Sequence, residues 1–165
     1  SDRSDAISTR TRKSGMIIPL KNETKTTEIG ARVSTYLKGG EVIYLKGDLG
    51  AGKTTLVRGA LNGLGHTGNV KSPTFTIVES YSIDDYIIYH FDLYRINDED
   101  ELEYIGIRDY CDDSAICFFE WPERGGDFLP DADILISLSY QNEGRALEIS
   151  AFSEIGDSII GNLSI

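Results

Sequence analysis

Residues 46–56 read KGDLGAGKTTL. Gly47, four residues, Gly52, Lys53 and Thr54 make the pattern G-x-x-x-x-G-K-[ST], and each part suits a bound polyphosphate. Glycines reach dihedrals closed to other residues and let backbone N–H groups converge on an anion. A helix opening beside Gly52 adds the positive end of its dipole. Lys53 brings a point charge for the outer phosphates, and the Thr54 hydroxyl is a hard oxygen ligand suited to Mg²⁺. The expected phosphate cradle is therefore Gly47, Asp48, Leu49, Gly50, Ala51, Gly52, Lys53, Thr54 and Thr55. A chance match in a glycine-rich loop is the bland alternative, and a strand before the loop with a helix after it distinguishes the two.

A phosphate cradle that does chemistry needs an acid to steady the metal and another group to orient water. Asp92 ends the run IIYHF, and Glu120 ends AICFF. Either could serve the metal and the other the water; the plainer reading is a strand cap or a pair with Arg95 or Arg124. Thr74, within SPTF (72–75), has a hydroxyl able to sense a terminal phosphate. The competing reading is a proline-fixed turn with a local bond. His90 reads as a core histidine sharing a strand face with Asp92, and His66 as a favourable charge after a helix end. Trp121 suits either a core position or a partner contact.

These groups need elements to hold them. Ile29, Val33, Tyr36 and Leu37 fall on one helical face, closed by Gly39 and Gly40. Residues 41–45, EVIYL, form a short apolar run suited to a buried parallel strand. After the glycine loop, Leu56, Val57, Ala60, Leu61 and Leu64 share a helical face that ends at Gly65. TFTIVESY and YIIYHF read as strands joined by SIDD, and DILISLSY and RALEISAF as strands joined by QNEG. DEDELEYIG carries a capping-box pattern, Asp98 with Glu101. Early helix–strand alternation followed by hairpins gives an α/β class with a mixed sheet.

The 165 residues suit one domain, at a net charge of −11. That acidity argues against a broad nucleic-acid footprint. Cys111 and Cys117 are the two cysteines. Their spacing is neither a zinc knuckle nor a redox pair, which suits reduced thiols in a cytoplasmic protein. No apolar run approaches a membrane span, and no signal peptide is visible. Residues 1–15 are expected to be a disordered extension or tag remnant, residues 16–155 one domain, and residues 156–165 a tail. No N/T-K-x-D element of the guanine-reading kind occurs, which favours ATP. Two further classes stay open: a small-molecule kinase, and a nucleotide-gated binding module that does not hydrolyse.

GDLGAGKTTLVRG, KSPTF, HFDLYR, ELEYIGIRDY and FFEWPER occur in that order. Together, over about residues 16 to 150, they resemble the TsaE (YjeE) family, the bacterial P-loop ATPases of tRNA threonylcarbamoyladenosine synthesis. The resemblance implies a P-loop NTPase three-layer sandwich with a mixed, mainly parallel sheet and antiparallel hairpins. It implies ATP and Mg²⁺ as ligands, and the TsaB and TsaD proteins as partners. It further implies that TsaD performs the transfer to adenosine in tRNAs reading ANN codons, with tRNA met indirectly through that complex. By motif, Thr54 and Glu120 would hold Mg²⁺, and Asp92 would be the base or water-orienting group. Lys53 would act on the phosphates, and Thr74 would sit near the terminal phosphate. The adenine wall is expected at residues 19–26 and in the loop after Pro130.

Overall fold

Val42, Ile43, Tyr44 and Leu45 are all buried, as an apolar run covered on both faces requires. They lie in the central strand of the computed structural model, which describes residues 10–141 and 144–163. The described elements are, in order, β1 (Ser14–Leu20), α1 (Glu23–Ser34), β2 (Val42–Lys46), α2 (Lys53–Leu64), β3 (Val78–Ile83) and β4 (Tyr86–Asp92). Then come α3 (Asp100–Ile105), α4 (Ile107–Tyr110), β5 (Ala115–Glu120), β6 (Ile134–Gln141), β7 (Gly144–Ala151) and α5 (Glu154–Asn162).

The sheet order is β1-β7-β6-β2-β5-β4-β3. Strand β2 pairs in parallel with β5 and β6, and β4 with β5. The pairs β1–β7, β6–β7 and β3–β4 are antiparallel. Strands β1, β6, β2, β5 and β4 thus run one way, and β7 and β3 the other. Side-chain alternation splits the core into two layers. Ile43, Leu45, Ile116 and Phe118 pack on one face with α1, α2 and α5 residues. Tyr44, Cys117, Phe119 and Phe91 pack on the other with Leu102 and Ile107. The result is the expected three-layer α/β sandwich.

Helices α1 and α2 cross closely. A Cβ on Gly59 would strike the Thr27 carbonyl, and one on Gly30 the Leu56 carbonyl. Asn22 caps α1 by accepting from the Lys25 N–H at 2.9 Å. The helix ends at Ser34, so Tyr36 and Leu37 pack from the following turn rather than from the helical face expected.

Three other expectations change. TFTIVESY is a strand only from Val78. Residues 74–77 turn instead: the Ile77 N–H donates to the Pro73 carbonyl at 2.7 Å, and Ile77 sits at φ 71°. Asp98 does not make a capping box; α3 starts at Asp100, whose N–H bonds the Asp98 carboxylate at 3.0 Å. The domain extends beyond both expected limits. Strand β1 begins at Ser14 and pairs with β7, because the Lys13 N–H already donates to the Ala151 carbonyl. At the other end α5, capped by Ser153, buries Ile159 and Ile160. Residues 1–9 and the QNEG positions 142–143 lie outside the described residues. No helix among the described residues is long and apolar enough to cross a membrane.

Candidate functional site

Strand β2 leaves the sheet at Lys46, and α2 begins at Lys53. The residues between form the predicted loop. Gly47, Gly50 and Gly52 take φ of 151°, 79° and 107°, and the latter two values explain why glycine stands there. Asp48, Leu49 and Gly50 face outward and Ala51 is buried. Gly52 caps α2 with no side-chain bond, and the first turn carries no acidic residue. The N–H groups of that turn are left for an anion.

Lys53 points back across the loop. Its Nζ donates to the Gly47 carbonyl at 2.6 Å and lies 4.0 Å from the centroid of the Trp121 ring. Burial pushes its pKa below the usual lysine value, against the opposing pull of Glu120 and Asp92. Among the described residues no carboxylate is within ion-pair distance of it. A buried cation with no paired carboxylate, beside a helix start whose N–H groups lack a side-chain cap, fits a polyphosphate.

The acids arrive by sheet alternation. Ile88, His90 and Asp92 share one face of β4, and Ile116, Phe118 and Glu120 share the same face of β5. Asp92 and Glu120 are register partners. Glu120 Oε2 accepts from Thr54 Oγ1 at 3.2 Å and meets His90 Nε2 at 2.6 Å. Asp92 Oδ2 accepts from Thr74 Oγ1 at 3.1 Å, and Oδ1 from the Tyr94 N–H at 3.0 Å. Ser72 Oγ lies 2.8 Å from Thr74 Oγ1. The SPTF turn is thereby tied to Asp92, and Thr74 makes both a local bond and a bond across the site.

These side chains line one cleft of about 390 Å³ that includes Gly50, Gly52, Lys53, Thr54, Thr55, Thr74, Asp92, Glu120 and Trp121. Thr54 and Glu120 are adjacent oxygen donors. Among the described residues no three His, Cys, Asp or Glu side chains form a metal cluster. A two-donor site suits Mg²⁺, which takes its other ligands from phosphate and water.

Three residues carry more of the site than their sequence context conveyed. His90 is fully buried, as expected for a core histidine, yet it holds Glu120. Tyr140 and Arg145 belong to no motif in the sequence; Arg145 lines the cleft, and Tyr140 Oη donates to the Gly50 carbonyl at 2.9 Å. Their signal was a tyrosine and an arginine placed symmetrically about a hairpin turn. Of the expected adenine wall, Glu23 lines the cleft and the Thr26 methyl stands beside Gly52. The loop after Pro130 does not. It lies at the opposite end of the parallel strands, where the Asp133 N–H bonds the Val42 carbonyl at the start of β2. Cys111 and Cys117 are free thiols on the other side of the sheet.

A glycine loop between a central strand and a helix, in a sheet of this order, defines a P-loop-type α/β protein. Residues 20–147 match the family model described as threonylcarbamoyl adenosine biosynthesis protein TsaE. The chain is 54% identical over 123 residues to the tRNA threonylcarbamoyladenosine biosynthesis protein TsaE of Haemophilus influenzae, covering 74% of this chain and 78% of that one. The Bacillus subtilis protein of the same name is 40% identical over 115 residues, or 70% and 72% of the two chains. The crystal structure of Bacillus subtilis YdiB superposes with a TM-score of 0.78 at 27% identity, over 93% of this chain and 95% of that one. The chain belongs to the TsaE family.

Proposed function

We propose that the chain is a cytoplasmic, ATP-binding and slowly hydrolysing regulatory subunit for threonylcarbamoyladenosine modification of tRNAs that read ANN codons. It acts with the TsaB and TsaD proteins, whose complex carries the transfer, and meets tRNA through them. The observation that carries the reading is the convergence of three things: the start of α2 with no side-chain cap, Lys53 folded over the loop onto the Gly47 carbonyl with no carboxylate paired to it, and Thr54 bonded to Glu120. Family membership supplies the pathway.

Each residue has a role in this reading. The loop N–H groups and Lys53 hold the phosphates and offset developing charge. Thr54 and Glu120 hold Mg²⁺, which when bound neutralises the outer phosphates. Asp92 orients the attacking water, and Thr74 fixes Asp92 through the hydrogen bond to Oδ2. Lys53 and Arg145 are the basic side chains among the described cleft residues. No arginine stands on the carboxylate side of that set, so the isolated chain turns over slowly. Partners then raise the rate. Calorimetry of the folded chain with Mg²⁺ tests the reading: saturable uptake of ATP and ADP is expected, and no uptake at millimolar nucleotide would overturn it.

A further inference from the structure

The hairpin β6–β7 places Tyr140 directly opposite Arg145. Strand β6 is also a parallel neighbour of β2, with Lys46 opposite Ser137. The hairpin therefore runs past the phosphate loop on the side away from β5 and β4. Tyr140 Oη bonds the Gly50 carbonyl, and its ring carries the Arg145 guanidinium at 5.1 Å. Arg145 Nη1 lies 3.3 Å from where a Cβ on Gly52 would stand. No carboxylate among the described residues pairs with Arg145.

The cleft is thus polarised. Glu120, Asp92 and Trp121 occupy the β5–β4 side of the loop, and Tyr140 with Arg145 the β6–β7 side. Two carboxylates and a metal-binding hydroxyl select the metal-bearing, terminal-phosphate end of a nucleotide. The other end of the ligand must then leave the loop toward the hairpin. There it meets a flat guanidinium backed by an aromatic ring on one face, and such a group stacks on planar partners.

We infer that Arg145 is the nucleoside-binding residue of this cleft: it stacks on the purine base, with Tyr140 as its support. The inference rests on the proposed phosphate loop and concerns the part of the ligand that the loop does not hold. Its chemistry separates it from a phosphate contact. A stacking arginine acts on the base and needs its plane, whereas a phosphate contact needs charge alone.

The test is calorimetry of the full chain with Mg²⁺, titrated with ATP and, separately, with inorganic tripolyphosphate. Arg145→Ala is expected to weaken ATP about tenfold or more, in line with the usual worth of base stacking, and to leave tripolyphosphate within about twofold. Arg145→Lys should behave like Arg145→Ala, because it keeps charge and loses the plane. Tyr140→Ala should reproduce the ATP loss, with melting curves confirming the fold of each variant. Equal weakening of both ligands, or wild-type ATP affinity in Arg145→Lys, would make Arg145 a phosphate cation and overturn the inference. So would unchanged ATP binding in Arg145→Ala. If wild type binds tripolyphosphate as tightly as ATP, nucleoside recognition fails while the phosphate loop stands. If wild type binds neither ligand, both fail.

Discussion

Asp92 and Glu120 are opposite one another in adjacent parallel strands, yet they hold different partners. Glu120 is tied to Thr54 of the phosphate loop and to His90 within the core. Asp92 is tied to Thr74 of the SPTF turn and to the backbone of Tyr94. One carboxylate faces the Thr54 hydroxyl, and the other faces the turn.

That division gives opposite phenotypes. Glu120→Gln should lower the Mg²⁺-dependent gain in ATP affinity by about tenfold, or ~1.4 kcal/mol. Asp92→Asn should leave affinity nearly unchanged and cut phosphate release by about a hundredfold or more. Titrations with and without Mg²⁺, paired with a phosphate-release assay, check both. Equal loss of Mg²⁺ dependence in the two variants would refute the assignment.

His90 positions Glu120 and should behave as a support. His90→Ala leaves a buried carboxylate short of a donor and opens a cavity, at a cost of about 2–4 kcal/mol of stability. His90→Gln keeps an N–H donor and should recover part of both stability and Mg²⁺ dependence. Denaturant titration and Mg²⁺-dependent ATP binding measure the two effects, and a His90→Ala chain as stable as wild type would contradict the role.

Much of this site was legible because it is local. The phosphate loop and the first turn of α2 occupy nine consecutive residues, so spacing alone placed Gly47, Lys53 and Thr54. Asp92 and Glu120 were legible as acids at strand ends, but their adjacency depends on the β4–β5 register. The bond from His90 to Glu120 and the stack of Arg145 on Tyr140 depend on the same kind of long-range pairing. The turn at residues 74–77 was hidden for another reason. Phe75, Thr76 and Ile77 favour strand locally, and the chain overrides that preference in the turn that places Thr74 against Asp92, with Ile77 held at positive φ. The start of strand β1 is not marked in the sequence, because the polar Ser14 and Gly15 gain their place from pairing with β7.

Burial of the Lys53 ammonium has a cost in stability. Its lowered pKa means that the folded chain holds this proton less tightly than the unfolded chain. The charged side chain therefore costs stability at neutral pH. That cost fades as pH rises through the interval between the lowered value and the ordinary lysine value, 10.5. Lys53→Met should remove this pH slope and melt at or above the wild-type temperature without ligand. It should also lose the melting shift that saturating ATP gives wild type, about 2.7 kcal/mol at a hundredfold excess over Kd. A variant that melts lower without ligand at neutral pH would contradict the strain on Lys53.

The crossing of α1 and α2 depends on Gly59. Gly59→Val pushes a side chain against the Thr27 carbonyl and should destabilise by about 1–3 kcal/mol or more. Denaturant midpoints check this. Because α2 starts at the phosphate loop, ATP affinity should fall with it. An unchanged midpoint would show that the helices can separate freely.

The most direct test is multiple-turnover modification. The chain is added to TsaB, TsaD, tRNA and the threonylcarbamoyl donor, and modified adenosine is counted per complex with ATP or a non-hydrolysable analogue. Many products per complex with ATP, and about one with the analogue or with Asp92→Asn, are the predicted results. Repeated turnover that is indifferent to this chain, or equal with ATP and its analogue, would contradict the proposed function.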